Sequence, residues 1–279
     1  MTILELLEAT TGYFAKHGVE PPRLTAELML ADALGRSRLQ LYLAFDQPVS
    51  DEIRDRLRPL VKRRADGEPL EYVLGHTTFA GHRIEVGPDV LIPRPETEIL
   101  LEAVIKLVDP AGLPVLEVGT GSGILALALA KKFPGLEIVA VDISPAALAQ
   151  ARKNLAESPN VRLFESDLLA DRSLPPQFQV IVANLPYIPS GDIPRLMREV
   201  QREPKLALDG GPDGLDLIRR LVTQSVGRTR YLALELGDGQ AGAAKTLCES
   251  AGYAILHLLP DLSQRDRVLL VEHHGQTRR

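Results

Sequence analysis

The sequence predicts an α/β protein: a mostly parallel sheet with helices on both faces, closed by an antiparallel edge hairpin and preceded by a small helical domain. Three observations carry this expectation. From residue 113 onward, apolar stretches rich in Val, Ile and Leu alternate with helical patterns, the mark of βαβ units and therefore of parallel strands. The first 75 residues show helical spacing and no strand alternation. Two apolar stretches, 254–259 and 267–273, finish the chain and read as a hairpin on the sheet edge.

Each element has a local cause. Ile3, Leu6 and Leu7 recur at helical spacing, and Gly18 with Pro21 and Pro22 stops that helix. Ala26, Leu28, Met29, Ala33 and Leu34 mark a second helix that ends at Gly35. A third starts at Ser50, an N-cap followed by Asp51 and Glu52, acids suited to the positive end of the helix dipole. Pro59 is expected to kink it. Residues 1–75 thus form one helical domain. Residues 76–93 carry β-favouring side chains around Gly81 and Gly87 and read as a β-hairpin linker. Pro93 and Pro95 bracket Arg94, and a helix with Glu96 and Glu98 in its first turn opens the third segment, residues 94–279. Strands are expected at 114–119, 137–142, 161–167, 179–187 and 231–237. Helices are expected at 124–133, 145–157, near 213–226 and at 240–252.

The 279 residues are enough to bury a sizeable core. Lys and Arg number 32 against 37 Asp and Glu, a net charge of −5, which disfavours non-specific wrapping of nucleic acid. The single cysteine, Cys248, excludes a disulfide framework and any multi-cysteine metal site. The longest apolar run, 124–130, has seven residues, short of the roughly 18 a membrane span needs. Acids stand near the N-terminus where an export signal carries cations. A cytoplasmic protein is expected.

Glu117, Gly119, Thr120, Gly121, Ser122 and Gly123 lie between an expected strand and helix. Alternate glycines let the backbone turn tightly and approach a ligand closely. Taken alone this is only a tight turn. The next strand ends in Asp142, 142 − 123 = 19 residues after the last glycine, where an acid accepts from ribose hydroxyls in nucleotide-binding sheets. The spacing is Gly-x-Gly-x-Gly, and Glu117 stands two residues before the first glycine. That acid repels a pyrophosphate and welcomes an ammonium. S-adenosylmethionine has an ammonium, a sulfonium and no phosphate. Asp167, after the following strand, is placed to accept from an adenine amino group, or else to N-cap the next segment. The pattern resembles the Rossmann-like methyltransferases.

A further strand runs into Asn184, Leu185, Pro186 and Tyr187. In an open α/β sheet ligands bind beyond the carboxyl ends of the strands, so this turn belongs beside the glycine loop. A planar amide nitrogen has a delocalised lone pair and is a poor nucleophile. Two acceptors aimed at its two N–H bonds hold it and draw that lone pair out of conjugation. The Asn184 side-chain oxygen and the Leu185 carbonyl are the candidates, with Pro186 fixing its own φ and Tyr187 stacking on the flat group. The tetrapeptide resembles the Asn-Pro-Pro-Tyr of amino-methyltransferases, with Leu185 in place of the first proline. Asn-Leu-Pro-Tyr also resembles the ribosomal RNA adenine dimethyltransferases, so it does not by itself assign the substrate.

Other residues narrow the choice. Gly67-Glu68-Pro69-Leu70, Tyr72-Val73-Leu74-Gly75, Pro93-Arg94-Pro95-Glu96-Thr97-Glu98, Glu203-Pro204-Lys205, Asp213-Gly214-Leu215 and Asp266-Arg267-Val268 together resemble the release factor glutamine methyltransferases, from about residue 20 to 272. The resemblance implies methyl transfer from S-adenosylmethionine, leaving S-adenosylhomocysteine, to the glutamine side-chain nitrogen in the Gly-Gly-Gln tripeptide of class-one peptide chain release factors, and so a modulation of translation termination. It implies that residues 1–75 recognise the substrate. It places the cofactor on Glu117, 119–123, Asp142, Asp167, Leu168 and Asn184, and the glutamine amide on 184–187. No metal, no direct nucleic-acid substrate and a monomer are expected.

Arg54, Arg56, Arg58, Lys62, Arg63 and Arg64 form a basic run, either a solvated helix face or a docking surface. Cys248 reads as core packing and His273 with His274 as surface. A nucleic-acid adenine methyltransferase is the competing enzyme, opposed by the net charge and the 93–98 motif. A non-catalytic cofactor-binding protein is opposed by the amide-clamping turn.

Overall fold

The computed structural model describes residues 1–273; His274 and the rest of the tail lie outside the described residues. The chain divides into two compact units: Met1–His76 with Met197–Arg202, and Thr77–Leu196 with Glu203 onward. The hairpin read as a linker is therefore grouped, from Thr77, with the second unit.

In the first unit, α1 (Ile3–Lys16) opens with a capping box: Thr2 accepts from the Glu5 N–H while Glu5 accepts from the Thr2 N–H. The next helix, α2 (Pro22–Leu34), ends at Gly35, whose φ of 61° favours glycine. Two five-residue helices, α3 (Arg38–Tyr42) and α5 (Leu70–Leu74), are too short to show a periodicity in sequence. Between them α4 (Asp51–Ala65) is capped by Ser50 and remains one helix through Pro59. Leu7, Phe14, Met29, Leu30, Leu41 and Leu57 form the core. The buried Glu27 carboxylate collects Arg23, Arg38 and the Tyr42 hydroxyl, which offsets the cost of burying its charge.

The basic run on α4 is largely spent inside this unit. Arg54 pairs with Asp51, Arg58 with Asp55 and Arg63 with Glu68. Arg64, buried, reaches Glu199 at 2.6 Å and the Glu68 carbonyl at 3.0 Å.

The second unit starts with the hairpin β1 (His76–Phe79) and β2 (His82–Glu85), followed by α6 (Thr97–Leu107). Strands and helices then alternate: β3 (Val115–Val118), α7 (Ile124–Lys132), β4 (Ile138–Asp142), α8 (Pro145–Asn154), β5 (Val161–Glu165) and β6 (Phe178–Ala183). Next come α9 (Asp216–Ser225), β7 (Thr229–Glu235), α10 (Ala241–Ser250), β8 (Tyr253–Pro260) and β9 (Asp266–His273). Among the described residues seven strands form one sheet in the order β5-β4-β3-β6-β7-β9-β8. The first five are mutually parallel, while β9 is antiparallel to both neighbours. Strand β9 is thus inserted between β7 and β8.

This order positions the site. The chain runs outward from β3 to β4 and β5, then returns to the other side of β3 with β6. That reversal is a topological switch point, and a crevice opens outside the carboxyl ends of the two strands that flank it. Val118 of β3 sits in register with Ala183 of β6 and Val141 of β4. The loop after β3, the end of β4 and the turn after β6 therefore emerge side by side. All four residues of β3 are buried, as expected of a parallel strand covered on both faces. Cys248 packs fully buried in this core, and burial pushes its thiol up to about 12. His273 meets the Tyr253 ring edge-on at 5.1 Å.

Candidate active site

A cavity of about 340 Å³ opens at the switch point, within the size range of small-molecule sites. It is lined by Glu117, Gly119, Thr120, Gly121, Ser122, Asp142, Asp167, Leu168, Asn184, Leu185 and Pro186. Gly123 and Tyr187, expected at the site with them, lie outside the lining. Pro93, Thr97, Ser144, Leu206 and Arg220, to which the sequence reading assigned no role, contribute to it.

The glycine loop is shaped by its neighbours. The N–H groups of Gly119 and Thr120 both donate to the Val141 carbonyl at 2.9 Å, which ties the loop to the end of β4. Gly119 has φ 76°, and a Cβ there would come within 3.2 Å of Leu185 Cδ2. Glycine is thus required both for backbone conformation and for the approach of the 184–187 turn. Gly123, φ 82°, serves a different purpose: a Cβ would meet Leu155 and Ala151 at 3.1 and 3.2 Å. It permits α7 to pack on the chain around α8 and does not face the cavity.

Two acids organise the loop. Glu117 is 2% exposed, and its Oε2 accepts from Thr120 Oγ1 at 2.7 Å and from the Ala126 N–H at 3.0 Å. It thereby satisfies an orphan N–H in the first turn of α7. Burial raises its pKa to about 8, against the lowering effect of those bonds. Asp142 accepts from the Gly121 N–H through Oδ2 and from the Ser144 N–H through Oδ1, both at 2.9 Å. Burial raises its pKa as well. The Ile143 N–H also stabilises its charge, and three backbone donors still leave the carboxylate acceptor capacity for a further one.

Asp167 does not N-cap a helix. Its Oδ2 accepts from Arg220 Nη2 at 2.7 Å, and both residues line the cavity. Leu168 beside it is buried with φ 55°, an uncommon backbone state for leucine. Ser166 holds it there: its hydroxyl donates to the Leu168 carbonyl at 2.8 Å and accepts from the Asp171 N–H at 3.1 Å.

The turn after β6 is fixed at three points. Asn184 Nδ2 donates to Thr97 Oγ1 at 3.0 Å. Leu185 is 4% exposed; it belongs to the core and also lines the cavity. The Tyr187 carbonyl accepts from Gln240 Nε2 at 2.8 Å, and Gln240 Oε1 accepts from the Gly237 N–H at 2.8 Å. Burial and the nearby Glu235 push the Tyr187 hydroxyl up to about 12.

The residues present fit S-adenosylmethionine. A cradle free of side chains at Gly121, a carboxylate with free acceptor capacity at Asp142, and the Glu117 and Asp167 acids flank one cavity. This arrangement defines the class: a methyltransferase with a Rossmann-like sheet. Residues 5–75 match the family described as PrmC N-terminal domain, and residues 115–205 the family described as Methyltransferase domain. The release factor glutamine methyltransferase of Rhodopirellula baltica is 41% identical over 97% of this chain and 96% of its own length. That of Moorella thermoacetica is 41% identical over 97% of this chain and 98% of its own. The chain belongs to the release factor glutamine methyltransferase family. Among solved structures, a ribosomal protein L11 methylase from Lactobacillus delbrueckii subsp. bulgaricus superposes with a TM-score of 0.51 at 22% identity. It covers 68% of this chain and 86% of its own, a likeness of fold.

Proposed function

We infer that this chain methylates the side-chain nitrogen of the glutamine in the Gly-Gly-Gln tripeptide of class-one peptide chain release factors, and so modulates translation termination. The observation that supports this most directly is the joint lining of one cavity by the glycine loop and by Asn184, Leu185 and Pro186. S-adenosylmethionine supplies the electrophilic methyl, and S-adenosylhomocysteine is left. Asp142 holds the ribose, Asp167 and the Leu168 backbone flank the adenine, and Glu117 with the loop residues 119–122 receives the amino-acid end. The Asn184 Oδ1 and the Leu185 carbonyl accept the two N–H bonds of the glutamine amide and orient its nitrogen toward the methyl. Such positioning supplies up to roughly 7–11 kcal/mol in ideal cases. As the C–N bond forms the methyl–sulfur bond breaks, and the nitrogen gives up one proton to solvent water; the two amide-type oxygens orient that proton but are too weakly basic to keep it. Tyr187 borders the amide from outside the cofactor cavity, and residues 1–75 recognise the protein substrate. The enzyme is read as cytoplasmic and monomeric, without a metal and without nucleic acid as substrate. Among the described residues no helix is long and apolar enough to cross a membrane.

The test is transfer of radiolabelled methyl to an intact release factor, compared with its Gln→Ala tripeptide variant and with ribosomal RNA. Label on the intact factor alone is expected. Label on the RNA, or on the Gln→Ala factor, overturns the reading.

A further inference from the structure

Behind the turn 184–187, β7 ends in Glu235, 1% exposed. Ala183 and Leu234 are register partners on adjacent strands, so Asn184 and Glu235 leave the sheet next to each other. The Thr97 and Asn184 side chains lie close enough to the Glu235 carboxyl to stabilise its charged form by hydrogen bonding. Its Oε2 has no hydrogen-bond partner among the described residues. Leaving an oxygen of a buried carboxylate without a partner is costly, and such an atom calls for an explanation.

The chemistry of these groups fixes an orientation. An ionised carboxylate only accepts, so it turns the donor end of a neighbouring amide toward itself. Asn184 Nδ2 already donates to Thr97 Oγ1 at 3.0 Å. The opposite end of the carboxamide, Oδ1, is then left for the cavity that Asn184 lines. Resting on the amide-clamp reading given above, we propose that Glu235, acting with Thr97, is a positioning residue that holds the Asn184 carboxamide with its oxygen toward the substrate glutamine. A flipped carboxamide presents two donors to a substrate that itself offers donors. That arrangement binds the glutamine badly and leaves its lone pair in conjugation.

Other charged groups face the carboxyl. Glu96, just before α6, disfavours its charge, and Arg267, on β9, favours it. Tyr187, from the turn, carries a hydroxyl that feels Glu235, Arg267, Arg94 and Glu96 together. Burial is the largest influence and lifts Glu235 to about 7. Its protonated form is a donor, able to engage Asn184 Oδ1 and allow the flip. Turnover therefore has an acid limb near neutrality that belongs to Glu235.

The test uses the full chain with an intact release factor. Glu235→Gln is expected to lower kcat by roughly 10- to 100-fold, with the dissociation constant of S-adenosylmethionine and the KM for the release factor within about threefold. The acid limb of kcat seen in the parent enzyme is expected to disappear in this variant. Thr97→Val is expected to lower kcat similarly and Thr97→Ser to restore it. In an Asn184→Ala background Glu235→Gln should cost nothing more, since its target is gone. Parent-level kcat in Glu235→Gln while Asn184→Ala is inactive overturns the positioning role alone. Parent-level kcat in Asn184→Ala overturns the amide clamp and the positioning role with it. Should Glu235→Gln not fold, the Thr97 pair decides: equal turnover by Val and Ser at that position overturns the proposal.

Discussion

Asn184 and Thr97, 87 residues apart in sequence, are joined by a 3.0 Å hydrogen bond from the asparagine Nδ2 to the threonine Oγ1. The bond links the turn after β6 to the first residue of α6. It gives the asparagine a defined back and therefore a defined front. Replacing Asn184 by alanine removes the acceptor but leaves the cradle at the glycine loop intact. Turnover is expected to fall to near background, with cofactor affinity by calorimetry within a few-fold. Affinity lost in parallel with turnover would mean that the residue supports the loop and not the amide.

Asp142→Ala is expected to weaken S-adenosylmethionine by about 1–3 kcal/mol, the scale of hydrogen bonds to a charged group. The structure adds a second consequence. The same carboxylate receives the Gly121 and Ser144 N–H groups, so its loss also loosens the loop. Asp142→Asn keeps an acceptor oxygen and should fall between the two. An unchanged dissociation constant in the alanine variant would remove Asp142 from the ribose site.

Leu185 is buried against the glycine loop, and only its carbonyl is assigned to the amide. Leu185→Ala is expected to lower stability by about 2–5 kcal/mol, as for other buried leucines, read by denaturant unfolding. Leu185→Pro keeps the carbonyl and part of the apolar volume, and should retain most of kcat with a smaller stability loss. A kcat/KM loss above about 4 kcal/mol in a folded Leu185→Pro variant would assign the leucine side chain or its N–H a direct part in turnover.

Burial lifts Glu117 to about 8 and Glu235 to about 7, both above the ordinary 4.5. Between those limits the folded chain binds protons that the unfolded chain has released, so stability declines as pH rises. The contribution is fully present below about pH 4.5 and is lost as pH passes through 7 and 8. Thermal unfolding is expected at lower temperature near about pH 8.5 than near about pH 6, and Glu117→Gln should flatten the upper part of that slope. An ammonium beside Glu117 favours its charged form, so saturating cofactor should also reduce the slope and release protons on binding. Calorimetry in buffers of different ionisation enthalpy measures that release; no proton release would separate Glu117 from the ammonium.

Periodicity and turn chemistry in the sequence determined much of this protein. Apolar strands and helices alternate because each must bury one face, and that alternation already implies a parallel sheet with its site at the carboxyl ends. The glycines at 119, 121 and 123, Asp142, and the turn 184–187 are local signals, each readable within a few residues. What the tertiary structure decided is which groups meet. Strand order put β3 beside β6 and inserted β9 between β7 and β8, and no local pattern encodes such an order. Gly123 and Tyr187 belong to the right motifs, yet packing turned one toward α8 and placed the other among the charges of Glu235, Arg267, Arg94 and Glu96. Thr97 lies in the 93–98 motif and Glu235 in an expected strand, but nothing local in either signals a role at Asn184. Their relation to it depends on a sheet register and a helix start brought together from three distant segments, and hydrogen-bond partners of that kind exist only once the chain has folded.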